Sequence, residues 1–326
     1  MIISGKNIDI YSLKNILTIN MSCSIEEYSY NPYIVNLPST SNQDRGNVWP
    51  IVNNHNNGLL IVIADGHGNN GHVFSEYIID YFEKLINSNI VNWFDDDLTN
   101  VLNNIFKNME IELNNKFDHL DGGSTLSICV LRKNRDIWIA NVGDSDIQII
   151  NPKSKLMSKL TESHDPLNIQ EASRILKSFP ETVFEYDRIV KSEPIIPIYK
   201  NKDNTIELNE LPTLNVYYKN RNNDFATYIY EKEEKKIALT RSIGDFYHKR
   251  TSGLSSKPYI CSYEYLKENE FLICATDGFW DCWTRSEIID YIANKNLSNF
   301  EEEHFNKSIK YFGKNRDDSY MVLLKN

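Results

Sequence analysis

Short apolar segments of this chain end in aspartate again and again, and that pattern limits what it can fold into. Leu59–Ala64 runs into Asp65, Ile137–Gly143 into Asp144, and Phe271–Thr276 into Asp277, while Asp317 and Asp318 precede Tyr320–Leu324. Continuous apolar runs of this length read as strands buried on both faces. Carboxylates at the ends of neighbouring buried strands would converge at one edge of a sheet, where they cannot all stay charged and unpaired. Divalent cations relieve that repulsion, and an oxygen ligand set with few histidines or cysteines suits Mg²⁺ or Mn²⁺ rather than Zn²⁺. A single Asp-Gly is explained equally well as a turn. Several of them, each at the end of a buried strand, point to a metal site.

The pattern between these strands adds helices and hairpins. From Gly71 to Ile90 the residues Val73, Tyr77, Ile78, Tyr81, Phe82 and Leu85 recur at helical spacing, and a second amphipathic stretch spans about Leu98 to Phe117. After Gly122-Gly123 the period changes. Thr125–Arg132, Asp136–Val142 and Asp146–Asn151 read as successive antiparallel strands joined by short turns. Helices are expected over Ser286–Ala293 and Phe300–Phe312, before the closing strand Tyr320–Leu324. Residues 1–58 read as loop-rich. Residues 176–236, with Pro180, Pro194, Pro197, Pro212 and the charge run Glu231–Lys236, read as an irregular surface insertion with short strands.

Composition excludes several classes. Hydrophobic residues make up 41% of the 326, enough for a packed core and too many for a disordered chain. The net charge of −10 argues against nucleic acid or an anionic membrane as partner. No apolar run approaches the ~20 residues of a membrane helix, and Lys6, Asp9 and Lys14 interrupt what could have been a signal peptide. The five cysteines (Cys23, Cys129, Cys261, Cys274, Cys282) are scattered without metal-type spacing, so an intracellular setting, cytoplasmic or nuclear, is expected. Cys129 and Arg135 have the spacing of cysteine-based phosphatases. Such enzymes need a loop that wraps phosphate and opens into a helix, whereas here the cysteine lies in a buried strand before a hairpin turn.

Nine short motifs follow one another along nearly the whole chain: Asn42-Gln43-Asp44-Arg45; Ala64-Asp65-Gly66-His67-Gly68 with Gly71-His72; Gly123-Ser124-Thr125; Ala140-Asn141-Val142-Gly143-Asp144-Ser145; Leu160-Thr161 with His164 and Pro166; Glu171 with Arg174-Ile175; Leu239-Thr240-Arg241-Ser242-Ile243-Gly244-Asp245; Ala275-Thr276-Asp277-Gly278-Phe279-Trp280-Asp281; and Asp317-Asp318-Ser319. In this order they resemble the metal-dependent type 2C protein Ser/Thr phosphatases. The resemblance implies an α+β fold, a four-layer α-β-β-α sandwich of two antiparallel sheets flanked by helix pairs. It also implies one catalytic domain over residues 1–326, with the insertion at about 176–236 as a flap beside the active site.

Carried over by position, the resemblance implies a site for two Mg²⁺ or Mn²⁺ ions. Asp65 would bridge both ions, the Gly66 carbonyl would bind one, and Asp277 and Asp317 would hold the second. Asp44 would orient bound water, and Asp144 and Asp281 match positions that hold a weaker third metal in many relatives. Water bridging the ions would attack phosphorus in line, and His67 would protonate the departing serine or threonine oxygen. The implied reaction is hydrolysis of phosphoserine and phosphothreonine in proteins, a signalling dephosphorylation without a covalent phospho-enzyme.

The chain also departs from that pattern. Ser39 stands where a phosphate-gripping Arg is usual, and no other substrate contact is evident. Arg45 is near in sequence, but alternation along a strand turns it to the other face. Gln43 replaces a frequent acidic residue, while Asp146 and Asp318 each add negative charge. Arg241 and Asp245 read as a structural pair across a helical turn, His72 as a packing or capping residue, and Trp280 and Trp283 as core. The loss at Ser39 motivates an alternative from another class, a catalytically weak or inactive phosphatase-like scaffold that binds partner proteins. Retention of Asp65, Asp277 and Asp317 argues against it. The phosphoprotein substrate, regulators and oligomeric state are not legible.

Overall fold

A computed structural model describes residues 16–21, 42–53, 56–132, 136–190, 192–202, 205–212, 215–233, 235–294 and 297–325. Its elements begin with β1 (Ile16–Met21), β2 (Asp44–Asn53) and β3 (Asn56–His67), then α1 (Gly71–Ser88) and α2 (Thr99–Phe117). Next come β4 (Gly123–Ser124), β5 (Leu126–Arg132), β6 (Ile137–Val142), β7 (Asp146–Asn151) and β8 (Leu156–Lys159). After α3 (Ile169–Ser178) lie four short strands, β9 (Val183–Tyr186), β10 (Tyr199–Lys202), β11 (Thr205–Leu208) and β12 (Thr227–Tyr230). The series closes with β13 (Ile243–Gly244), α4 (Phe246–Thr251), β14 (Tyr259–Tyr263), β15 (Phe271–Ala275), α5 (Asp277–Asp281), α6 (Arg285–Asn294), α7 (Phe300–Phe312) and β16 (Ser319–Lys325).

Two antiparallel sheets lie face to face. One runs β13-β4-β3-β5-β6-β14 with β2 added on β3; the other runs β1-β16-β15-β7-β8. The continuous apolar runs follow from this arrangement, because both faces of the central strands are covered. Leu60, Val62 and Ala64 of β3 pack with Phe74, Ile78 and Phe82 of α1 and Leu102 and Phe106 of α2. Leu59, Ile61 and Ile63 face the other way and meet Ile147, Ile149, Leu272, Cys274 and Val322 of the second sheet. On its far side Ile273, Met321 and Leu323 lie under Phe279 of α5, Trp283 of the turn after it, Ile288 of α6 and Phe300 of α7. The result is the four-layer order of helix, sheet, sheet and helix, and each such side chain contributes about 1.5–3 kcal/mol by leaving water.

Two expectations are corrected. Asp146–Asn151 does not pair with the strand before it: β7 crosses to the second sheet, where Asp146 stands opposite Ala275 of β15. Gly143 permits the crossing with φ +94, a backbone region that other residues avoid. A Cβ there would also stand 2.6 Å from Thr125 Cγ2. Residues 44–53, read as loop, form the ten-residue β2. Gly46, Asn47 and Pro50 hide it from apolar patterning. Pro50 is tolerated because β2 is an edge strand, and Gly46 leaves room for the Tyr320 ring.

Residues 176–236 contain the expected short strands, in the pairs β9–β12 and β10–β11. They share a small core with α3, in which Ala172 and Ile175 meet Tyr186, Ile198, Val216 and Ile229. Asn168 caps α3 by accepting from the Gln170 and Glu171 N–H groups. Among the described residues no helix is long and apolar enough to cross a membrane.

Candidate active site

The strand ends do gather the aspartates. Register pairing sets Asp44 opposite Asp65. The Asp65 N–H donates to Thr125 Oγ1 at 3.0 Å, and the Thr125 N–H returns a bond to the Asp65 carbonyl at 2.8 Å. Gln43 ties three segments together. Its N–H donates to Asp318 Oδ2 (2.8 Å), its carbonyl accepts from Gly66 N–H (3.2 Å), and its side-chain oxygen accepts from His72 N–H (3.1 Å) at the start of α1. On the second sheet, Thr276 and Tyr320 exchange bonds of 3.0 and 2.9 Å, which sets Asp277 beside residues 317–319. The approach is so close that a Cβ on Gly278 would sit 1.9 Å from the Asp318 carbonyl oxygen.

The carboxyls resist ionising together. Burial and the charges of Asp44, Asp277, Asp317 and Asp144 hold Asp65 well above the usual carboxylate range. Asp44 is raised likewise by burial and by Asp317, Asp277 and Asp318, against a lowering hydrogen bond from Thr276. Burial and then Asp144 raise Asp277; burial and then Asp277 raise Asp281. Asp317 is pushed up to about 7 by burial and by Asp277, a displacement softened because the residue keeps an exposed side. Asp44 Oδ2 and Asp277 Oδ1 are buried without a hydrogen-bond partner, a costly condition for anionic oxygen. Among the described residues no three His, Cys, Asp or Glu side chains close around one point; these acids act on one another across a gap. Orphaned oxygens, mutual repulsion and an all-oxygen donor set fit hard divalent cations.

His67, at the end of β3, has its Nε2 2.7 Å from Asp245 Oδ2. Burial works against charge on the imidazole, but Asp245 outweighs it and raises the pKa, while His67 in turn draws the Asp245 carboxyl down against its own burial. Asp245 has a left-handed backbone (φ 48) ahead of α4. Gly123 makes room for it, since a Cβ there would stand 2.3 Å from Asp245 Oδ2. The expected Arg241–Asp245 pair is therefore corrected. β13 separates the two residues, so they do not share a helical turn. Arg241 instead grips Glu171 through Nε (3.0 Å) and Nη2 (2.5 Å). Although burial opposes ionisation, Arg241 and Arg174 bring Glu171 down to about 2.

Other expected residues are placed as follows. Ser39 lies outside the described residues. Arg45 donates to Glu76 Oε1 (2.7 Å) and to the carbonyls of Asn42 and Asp44, which leaves it shaping the Asp44 segment. Asp146 pairs with Lys159 Nζ at 2.7 Å and accepts from Thr161 Oγ1 at 2.8 Å, which offsets much of the negative charge it was expected to add. Cys129 is fully buried inside β5, and Arg135 lies outside the described residues. Trp283 is core; Trp280 is half-buried and donates to the Ala275 carbonyl (3.1 Å).

One residue at this edge has no counterpart in the sequence reading. Lys219, from the insertion, brings Nζ to 3.4 Å from Asp144 Oδ2. It carries no motif and sits in the asparagine-rich run Lys219-Asn220-Arg221-Asn222-Asn223, so no local signal marks it. A cleft of about 750 Å³ opens here, lined by Asp144, Lys219, Asp277, Asp281 and Asp317. It flanks the cluster on the insertion side, and Asp65 and His67 lie outside its wall.

Comparison with known proteins gives the family and the fold. The family described as "Protein phosphatase 2C" matches residues 52–316, a stretch that stops just short of Asp44 and Asp317. "Probable protein phosphatase 2C 72" of Arabidopsis thaliana is 22% identical over 270 residues, covering 77% of this chain and 72% of that protein. "Protein phosphatase 1L" of Bos taurus is 23% identical over 274 residues, covering 81% and 61%. Against other curated relatives the chain spans from a third to under two thirds of their length, 32%, 63% and 53% in three cases. Among solved structures, the serine-threonine phosphatase 2C from Toxoplasma gondii aligns with TM-score 0.55 at 16% identity, covering 90% of this chain and 98% of that one. A C. elegans sex determining protein aligns with TM-score 0.62 at 15% identity, covering 95% and 64%. At such identities the structural likeness is one of fold.

Proposed function

The chain belongs to the protein phosphatase 2C family of protein serine/threonine phosphatases, and from that premise we propose that it hydrolyses phosphoserine and phosphothreonine in proteins with the help of two divalent cations, Mg²⁺ or Mn²⁺. One observation carries the reading: buried oxygens of Asp44 and Asp277 without partners stand in a set of carboxyls that cannot ionise together. Asp65, the Gly66 carbonyl, Asp277 and Asp317 would hold the ions, and Asp44 would orient water beside them. When bound, the ions supply Lewis acidity that lowers the pKa of water near neutral pH and offset the charge of the incoming phosphate.

His67 acts on the leaving group. Its Nε2 faces Asp245, so the proton available to the departing alkoxide is the one on Nδ1. The raised pKa keeps that proton in place at higher pH than in an ordinary histidine. The insertion at about 176–236 serves as a flap of the same catalytic domain and selects the phosphoprotein. Cys129, Cys261 and Cys274 are thiols rather than disulfides, in keeping with an intracellular setting.

The test uses purified protein and a phosphopeptide. Mn²⁺ should support hydrolysis, EDTA should abolish it, and Asp65→Ala or Asp277→Ala should remove it. Activity that survives those substitutions refutes the assignment. Absence of Mn²⁺ binding in a calorimetric titration would favour a scaffold without turnover.

A further inference from the structure

Lys219 sits where a cation is wanted. Its Nζ lies 3.4 Å from Asp144 Oδ2, with 33% of the lysine side chain and 12% of the aspartate side chain exposed. Asp144, Asp277 and Asp281 line one cleft with Lys219. Asp144 and Asp281 are the two positions at which relatives would hold a third, weaker ion. An ammonium brings a positive charge and three donors to that place, and it is attached to the chain.

The backbone that carries Lys219 is built to hold it there. The Lys219 N–H donates to the Asp224 carbonyl at 2.8 Å, and Asn220 Oδ1 accepts from the N–H groups of Asn222 (2.9 Å) and Asp224 (3.1 Å). The turn so formed is docked on the helices that follow β15. The Arg221 N–H donates to the Asp281 carbonyl (3.3 Å), and Asn222 Nδ2 donates to the Trp283 carbonyl (3.1 Å). The Arg221 guanidinium forks onto Glu287 and lies 3.6 Å over the Tyr311 ring. With both neighbours of the turn fixed to α5 and α6, the lysine has little freedom to withdraw.

We propose that Lys219 takes the place of the third cation, so that Asp144 and Asp281 face a positive charge fixed in the chain and the protein binds two divalent ions rather than three. The inference rests on the two-ion reading above. A dication entering between Asp144 and Asp281 would meet the ammonium at close range, and the pair of carboxylates cannot serve both. The lysine also ties the insertion to the catalytic edge by charge, a link that an exchangeable ion would supply only while bound.

The experiment is a count of Mn²⁺ bound to the full chain in large excess of ion, by calorimetric titration and by paramagnetic resonance of the free ion. Wild type should bind two ions. Lys219→Met and Lys219→Gln should each bind three, Lys219→Arg should stay at two, and adding Asp281→Asn to Lys219→Met should return the count to two. Using both neutral variants, with thermal melts as a control, guards against one that does not fold. A wild-type count of three overturns the inference and leaves the two-ion reading standing. A count of two in wild type and in both neutral variants overturns it as well, because Lys219 would not be what excludes the ion. A count of zero throughout overturns both.

Discussion

Asp245→Asn removes one negative charge and keeps nearly the same shape, and the left-handed backbone at residue 245 (φ 48) is one that Asn adopts readily. The substitution therefore isolates the bond to His67 Nε2, 2.7 Å long in a pocket where the aspartate side chain is 5% exposed and the histidine 26%. A hydrogen bond between charged groups contributes about 1.5–3 kcal/mol. That contribution stabilises protonated His67, so on the alkaline side, where the variant has lost the acid form and the wild type holds more of it, turnover of a phosphoserine peptide should fall by about 10- to 150-fold. An aryl phosphate, whose leaving group departs without a proton, should be hydrolysed at nearly the wild-type rate. The sign in pH follows from the same bond. Asp245 raises the His67 pKa against burial, so without its charge the acid form is lost at lower pH, and the alkaline limb of kcat should move to lower pH on the peptide only. The assay is kcat against pH for both substrates at saturating Mn²⁺. An equal fall on both, or an alkaline limb that stays in place, refutes the assignment of His67 as the proton donor.

Gly123→Ala should act in the same direction from the other side, because the added Cβ must displace Asp245 Oδ2 from 2.3 Å; peptide turnover should drop while the Mn²⁺ titration is unchanged. Glu171→Gln should destabilise the fold by about 2–3 kcal/mol in urea melts, since Arg174 and Arg241 lose a carboxylate that is only 3% exposed. Glu171 is lowered to about 2, so its contribution is present above the ordinary carboxylate range and lost as pH falls through about 2. The gap between variant and wild type should accordingly close in acid, and a gap independent of pH would count against the pairing. The metal-free protein should behave oppositely. Asp317 is raised from 3.8 to about 7, so the folded state holds a proton that the unfolded state has released. The Tm in EDTA should then decline as pH rises from about 4 to 7, whereas the Mn²⁺-loaded Tm should not; parallel curves would contradict the carboxylate cluster.

Sequence legibility followed the range of the forces involved. β3, β15 and β16 are covered on both faces, so their apolar runs are continuous and the aspartates stand out at their ends. β2 lies at an edge and carries Gly46, Asn47 and Pro50, so it loses that signature although it delivers Asp44. The partner of β7 was hidden for a different reason. A turn at Gly143 is visible locally, but whether the next strand folds back or crosses to the other sheet is decided by Ala275, far along the chain. The His67–Asp245 bond spans 178 residues, and local reasoning offered Arg241 instead. Lys219 was invisible because a lysine among asparagines has no period and no spacing to betray it.

The bond from Gln43 to Asp318 joins residues 275 apart in sequence. Closing so long a loop gains nothing until the intervening chain is in place, which makes contacts of this kind slow to form. A ribosome delivers Asp44 and Asp65 long before Asp277 and Asp317, and β16, which follows the last of them, sits between β1 and β15 in its sheet. Until then Asp44 and Asp65 face each other without the charges of Asp277 and Asp317. The carboxyl cluster is therefore incomplete in every partly made copy, and it arrives in one step with the fold.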